Sequence, residues 1–234
     1  VSGDVLGRAL DRTVRAASKE ETRYYLNGVA MQFREGVIKT IATDGHRLIV
    51  EKIAGDELPD VIIPTKAVNE IKAICAANGT VELSVSATKI RCVGTDTVYT
   101  SKVIDGTFPD WTRVVPAWSD SVLTVGATAM SEAAARVALV ATERTRAVRL
   151  SVEADGVRLT VRGSDGGNAE DYVEGKWAGS GGVEIGVNAA YLADALQLAE
   201  KGELDISITA PMDPIRVQLH ESPDTIAVLM PMRV

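Results

Sequence analysis

The sequence predicts an α+β protein made of two related domains, each built of two helix-plus-antiparallel-strand units. Three observations lead there: the chain repeats itself at long range, segments of helical spacing recur, and each is followed by alternating runs that fold back through short turns. The repeat is legible twice. Ile63-Pro-Thr-Lys-Ala-Val-Asn-Glu-Ile-Lys-Ala-Ile74 echoes Ile185-Gly-Val-Asn-Ala-Ala-Tyr-Leu-Ala-Asp-Ala-Leu196, and each passes through a glycine (Gly79, Gly202) into an alternating run, Val81–Val85 or Leu204–Ile208. Val14–Leu26 likewise parallels Val137–Arg149, at an offset of 123 from Val14 to Val137.

Apolar residues fall at helical spacing over 4–18 (Val5, Leu6, Ala9, Leu10, Val14), 65–77 (Val68, Ile71, Ile74), 131–142 (Ala134, Val137, Ala138, Val140) and 189–200 (Leu192, Ala195, Leu196, Leu198). The clearest hairpin runs Val148–Val152, turns at Ala154-Asp155-Gly156 and returns through Val157–Val161. Its counterpart in the first half is Ala30–Phe33, a turn at Arg34-Glu35-Gly36, and a return over Val37–Thr43. Between Ile104 and Ser119 the periodicity lapses and Gly106, Pro109 and Pro116 punctuate the chain, so the halves are expected to join near Pro116, as domains 1–116 and 117–234.

Composition narrows the classes. With 46% hydrophobic and 24% charged residues, the 234-residue chain has the make-up of a packed protein and not of a disordered one. No apolar run approaches the roughly 18 residues of a membrane helix, and no secretory leader pattern opens the chain. Val1-Ser2-Gly3 lacks an initiator Met and reads as the start of a fragment. Cys75 and Cys92, without a CxxC or a nearby His, read as free thiols, buried or half-buried, in a reducing cytoplasm. A net charge of −7 argues against coating by nucleic acid over the whole surface but leaves room for a local basic face.

Arg8, Arg12, Arg15 and Lys19, at steps of four, three and four, would share one face of the first helix, opposite Val5, Leu6 and Leu10. Such a stripe is ordinarily a solvated face. Asp44-Gly45-His46-Arg47 could be read as the acid–base pair of an α+β hydrolase, with His46 as general base. The same string is first a turn signal, and adjacent residues of an extended chain point apart. No nucleophile motif, His pair at ligand spacing or glycine-rich phosphate loop accompanies it, so neither metal nor cofactor is implied. His220 stands alone near a loop and reads as solvated. Val228-Leu-Met-Pro-Met232 reads as a C-terminal edge strand, a position that tolerates its proline.

Three segments carry a family resemblance: Arg23-Tyr-Tyr-Leu-Asn-Gly28 leading to Thr43-Asp-Gly-His-Arg-Leu48; Thr100–Trp111 followed by Arg113-Val-Val-Pro116; and Val228-Leu-Met-Pro-Met-Arg-Val234. In their order and spacing they resemble the bacterial DNA polymerase III beta subunits, the DNA sliding clamps. The resemblance spans essentially the whole chain and implies the DNA-clamp fold. Family members carry three such domains, and this stretch resembles the middle and last. The normal six-domain ring, closed between two protomers through the first domain, is therefore not expected of it alone.

The resemblance implies a non-catalytic processivity factor that encircles duplex DNA without sequence preference. As a whole protein it would be a ring-shaped homodimer. Short clamp-binding peptides would dock the replicative polymerase subunit, the clamp loader, other polymerases and repair proteins. The family's peptide pocket maps onto Arg23, Leu26, Thr43, Gly45, His46, Arg47, Leu48, Pro109, Arg113 and Val114, with Tyr191, Val228, Met230, Pro231, Met232 and Arg233 from the last domain. Apolar walls and adaptable methionines suit varied partner side chains. The resemblance also turns Arg8, Arg12, Arg15 and Lys19 toward DNA, together with Arg23, Tyr24, Tyr25, Lys66, Lys72 and Arg136. An interaction module that never touches DNA is the other reading to be separated from this one.

Overall fold

The computed structural model describes residues 1–141, 147–163, 166–199, 201–220 and 222–233. Part of the second copy of the repeat (142–146), the expected helix ends at Thr142 and Glu200, and the final Val234 lie outside the described residues. The chain divides into two compact units, Val1–Asp110 and Trp111–Val234. The break falls inside the Pro/Gly-punctuated stretch but ahead of Pro116, because Trp111–Val114 already forms a 3-10 turn at the start of the second unit.

The first unit contains α1 (Gly3–Val14), a 3-10 segment (Glu21–Leu26), β1 (Gly28–Arg34), β2 (Val37–Thr43), β3 (Arg47–Ile53), β4 (Val61–Pro64), α2 (Thr65–Ala77), β5 (Glu82–Val85), β6 (Lys89–Val93) and β7 (Val98–Lys102). Its strands make antiparallel sheets in the orders β4-β1-β2-β3 and β5-β6-β7. The second unit contains β8 (Val122–Gly126), α3 (Ala127–Ala138), β9 (Ala147–Glu153), β10 (Gly156–Arg162), β11 (Asn168–Trp177), β12 (Val183–Asn188), α4 (Ala189–Leu196), β13 (Glu203–Ser207), β14 (Ile215–Leu219) and β15 (Ser222–Leu229). They form a continuous antiparallel order β12-β9-β10-β11-β8-β13-β14-β15.

The repeat is physical. Strand then helix, β4–α2, recurs as β12–α4, and α3 begins 124 residues after α1 (Ala127 against Gly3). Where β8 pairs with β13 in the second unit, the first unit has a single bridge between Ser2 and Thr80, backed by the Val1 ammonium donating to the Val81 carbonyl at 2.9 Å. Both hairpins close where the sequence predicts. Val152 faces Val157 and Arg34 faces Val37, the latter across Glu35 (φ 56°) and Gly36 (φ 81°), a left-handed pair that favours glycine at the second place.

In the first unit α1 packs on β1–β3 and α2 on β1, β4, β6 and β7, so the helix pair meets both sheets; in the second, α3 packs on β8, β10 and β11 and α4 on β12 and β15. Leu6, Ala9, Leu10 and Thr13 of α1 and Val68 and Ile71 of α2 are wholly buried, as are Met130, Ala133 and Leu192 of the second unit. A Leu or Ile buried to this degree contributes roughly 1.5–3 kcal/mol. Three helices differ from the sequence reading, and of these α3 runs over Ala127–Ala138 where the apolar spacing suggests 131–142. Helix α1 stops at Val14 and does not run on to Ser18 as the apolar spacing suggests. Ala16 and Ala17 donate to Thr13 and Val14 in tightened turns, and the Ser18 amide bonds the Leu26 carbonyl. Helix α4 stops at Leu196, closed by Leu198 donating to Ala195.

Across the helix–sheet boundary of the first unit, the Arg12 guanidinium donates to both Glu51 oxygens at 2.8 and 3.1 Å. The side chains are 15% and 9% exposed, so this pair is interior. Removing one partner of such a pair leaves an uncompensated charge. Arg12→Gln should therefore lower unfolding stability by about 3 kcal/mol, and Arg12→Gln with Glu51→Gln should recover much of that loss. Denaturant titration of the single and double variants measures both.

Cys75 on α2 and Cys92 on β6 are buried, and their thiols hydrogen-bond one another. That bond, reinforced by burial, pushes Cys75 far above the ordinary thiol range, while accepting it lowers Cys92. Both thiols should be inert to a thiol-reactive disulfide reagent in the folded protein and react together on unfolding. Rapid labelling under native conditions would contradict this packing.

Candidate functional site

In the first unit the candidate residues gather around the β2–β3 turn. Asp44 anchors it. One carboxylate oxygen accepts from the His46 and Arg47 amides at 2.9 and 3.1 Å, and the other accepts from Arg47 Nε at 3.1 Å. Thr43 Oγ1 donates to the Arg47 carbonyl at 2.6 Å and accepts from the Gly45 amide at 3.1 Å. Gly45 has φ +90°, a conformation that calls for glycine, and a Cβ there would meet only the flexible end of Arg23, Nη1 at 2.9 Å. Arg23 comes from the 3-10 segment. It donates to the Asp44 carbonyl at 3.4 Å and pairs with Glu20 at 2.7 Å. Thus Arg23, Thr43, Gly45 and Arg47 form one bonded cluster. Beside it in the chain, Leu26 and Leu48 are buried, His46 is exposed, and Pro109 is exposed at the end of the unit.

In the second unit the candidates fall at both ends of its sequence. Arg113 and Val114 are exposed in the Trp111–Val114 turn. Val228 is buried near the end of β15, Met230 and Pro231 are half-buried, and Met232 and Arg233 are exposed. Pro231 lies past the strand, not within it. The Met232 amide then donates to the Gly186 carbonyl at 2.8 Å, pinning the tail beside β12. Two residues beyond Gly186, Asn188 caps α4 by accepting from Ala190 and Tyr191 at 2.9 and 3.3 Å. The tail, the β12–α4 junction and half-buried Tyr191 therefore belong to one neighbourhood.

The basic residues do not form the stripe that helical spacing suggests. Lys19 lies beyond the end of α1, and Arg12 is turned into the unit by Glu51. Asp11 accepts from both Arg15 (2.9 Å) and Lys72 (2.5 Å), joining α1 to α2. Burial opposes ionisation of Asp11, but these two hydrogen bonds outweigh it and hold its carboxyl below the usual range. The stabilisation is therefore complete above the ordinary carboxylate range and is lost as pH falls through the lowered value. Arg136 is exposed but paired with Asp171 at 2.6 Å and Glu132 at 3.7 Å. Arg8, Lys19 and Lys66 are exposed with no carboxylate partner among the described residues. Tyr24 is 54% exposed and meets half-buried Tyr25 edge-on, ring centres 5.7 Å apart.

Sequence reasoning missed the acidic residues that hold these cations, Asp11, Glu20 and Glu51, because nothing local marks a carboxylate as a partner. His220 is exposed as expected but does not stand alone. The ring contacts Asp205 through Nδ1 at 3.0 Å, and Thr124 donates to the same carboxylate at 2.7 Å. Among the described residues, no group of His, Cys, Asp or Glu could hold a metal, and no helix is long and apolar enough to cross a membrane.

Comparison with known proteins accounts for both units. The model for the central domain of the DNA polymerase III beta subunit matches residues 1–110, and that for the C-terminal domain matches 112–233. The beta sliding clamp of Caulobacter vibrioides is 37% identical over the whole chain, and that of Escherichia coli K12 is 31% identical over 97% of it. The chain spans 65% and 63% of those two proteins. Among solved structures, the Pseudomonas aeruginosa clamp superposes with a TM-score of 0.94 at 28% identity, covering all of this chain and 66% of that one. The Bartonella birtlesii clamp, bound to griselimycin, gives 0.92 at 37% identity, covering all of this chain and 65% of that one. With the central and C-terminal domains matched in order, the chain belongs to the DNA polymerase III beta subunit family, the beta sliding clamps.

Proposed function

We propose that this chain forms the middle and last domains of a bacterial replicative sliding clamp, a cytoplasmic, non-catalytic processivity factor. The whole protein would encircle duplex DNA as a ring-shaped homodimer. It would dock the polymerase catalytic subunit, the clamp loader, other polymerases and repair proteins through short peptides. The observation that carries this is the pair of domain matches in sequence order, each unit holding its share of the family's site segments. The griselimycin held by the Bartonella birtlesii clamp supports a ligand-binding role for such proteins. A hydrolase built on Asp44 and His46 is disfavoured, because the Asp44 carboxylate is taken up by two backbone amides and Arg47.

The peptide-docking residues in this reading are Arg23, Leu26, Thr43, Gly45, His46, Arg47, Leu48 and Pro109 of the first unit. Arg113, Val114, Tyr191, Val228, Met230, Pro231, Met232 and Arg233 serve from the second. Micromolar docking requires about 8 kcal/mol, and one buried Leu or Phe anchor contributes roughly 1.5–3 kcal/mol, so several contacts must act together. DNA contact falls to Arg8, Lys19 and Lys66, with Tyr24 and Tyr25 available to stack. Arg12, Arg15, Arg23, Lys72 and Arg136 are already engaged with carboxylates.

Two measurements test these assignments. A short peptide of glutamine–leucine–aromatic pattern should bind the chain, read by fluorescence anisotropy. Deleting residues 230–234 should weaken it by tenfold or more while the first unit still melts cooperatively; undiminished affinity would remove the tail from the site. For DNA, binding to a short duplex should be weak, sequence-independent and salt-dependent. Three phosphate contacts correspond to a slope of about −2.7 in log affinity against log salt. The triple variant Arg8→Gln, Lys19→Gln, Lys66→Gln should abolish most of that slope. A triple variant with the parent's slope would move DNA contact to other cations, and a parent that binds no duplex at low salt would favour an interaction module without DNA contact.

A further inference from the structure

Among the described residues, the half-buried arginines other than Arg216 have carboxylate partners: Arg12 has Glu51, Arg15 has Asp11, Arg23 has Glu20, Arg47 has Asp44, Arg149 has Glu184 and Arg158 has Glu170. Arg216 on β14 is half-buried too, and no carboxylate pairs with it among the described residues. Its Nη2 donates to the neutral Gln218 Oε1 at 3.1 Å, its guanidinium carbon lies 5.1 Å over the Trp118 ring, and its Nε is buried without an acceptor. Burial alone lowers its pKa, with no neighbouring negative charge to offset it. Desolvating a cation without a counter-charge is unfavourable, so a positively charged side chain held this way is short of an anion.

Its place in the sheet indicates where that anion would come from. Arg216 is directly opposite Val228 in the β14–β15 register, and directly opposed residues project from the same face of a sheet. The guanidinium is thus one strand away from an apolar residue assigned above to peptide docking. Trp118 holds it flat, and Gln218 fixes one edge. A preoriented guanidinium of this kind favours a planar, two-oxygen acceptor, which is what a carboxylate offers.

We propose that Arg216 is a specificity-determining residue that selects docking peptides carrying an acidic side chain beside their apolar anchors. The inference rests on the peptide-docking reading. It differs from that reading in naming a charge preference and the residue that confers it.

The test uses the full chain, Arg216→Gln and Arg216→Lys. The probes are C-terminally amidated peptides of the docking pattern with Glu placed in turn at each position flanking the anchors, each matched by a Gln version. Amidation removes the terminal carboxylate, leaving the side chain as the source of negative charge. At low salt the parent should bind one Glu peptide roughly tenfold more tightly than its Gln match, the scale of one charge-assisted hydrogen bond. Arg216→Gln should bind both versions equally, at the parent's affinity for the Gln peptide, and Arg216→Lys should keep part of the preference. The preference should shrink as salt is raised. Because Arg216 lacks a carboxylate partner among the described residues, Arg216→Gln should melt no lower than the parent, unlike Arg12→Gln. A Glu preference that survives in Arg216→Gln would overturn the assignment, as would a large fall in its melting temperature. If the parent binds all peptides without regard to charge, this inference fails while the docking reading stands. If the parent binds none, both fail.

Discussion

The Arg12–Glu51 pair ties helix α1 to strand β3 inside the first unit, and the arrangement of the other cations follows from it. An ion pair this deep tolerates little displacement of either partner, so it holds α1 against β3 in the rotation that its wholly buried Leu6, Ala9 and Leu10 also require. In that rotation, Asp11 reaches α2, and Arg15 and Lys72 converge on its carboxylate. Much of the helix layer's positive charge is therefore compensated within the protein. A chain of net charge −7 would then touch a polyanion through a few uncommitted side chains, which suits loose contact better than tight binding.

The candidate peptide-docking residues are organised differently. In the first unit, backbone geometry does the positioning: Asp44 holds the turn, Gly45 adopts a conformation that other residues resist, and Arg23 packs where a Cβ would intrude. In the second, a single main-chain bond from Met232 to Gly186 draws the C-terminal tail against β12. Side chains held by backbone contacts can offer a constant frame while exposed Met232 and His46 adapt to what they meet. Arg216 adds a cation whose neighbours are an aromatic ring and a neutral amide, so its charge, unlike those of the paired arginines, stays open to an incoming anion.

Short-range chemistry accounts for what could be read from the chain alone. Helix α2 spans Thr65–Ala77 as its apolar spacing predicts, and the hairpins turn at Glu35-Gly36, where both residues take positive φ, and at Ala154-Asp155, after which Gly156 already pairs with Glu153. The repeat, and through it the division into two α+β units, is visible because both copies must bury the same helix face against the same kind of sheet. The site segments were legible only through family resemblance, since strings such as Thr43–Leu48 carry no chemistry that declares a docking role.

Which charges remain available was settled by the folded arrangement. Arg12 and Glu51 are 39 residues apart, and Asp11 and Lys72 are 61 apart. Helical spacing placed Arg12 and Lys19 on one exposed face, yet a carboxylate from β3 turned one inward and the Ser18–Leu26 bond carried the other off the helix. His220 found Asp205, and Arg216 found no carboxylate among the described residues, for the same reason. Electrostatic partnership depends on distance in space and on burial, and strand pairing sets both after the local pattern has been used up.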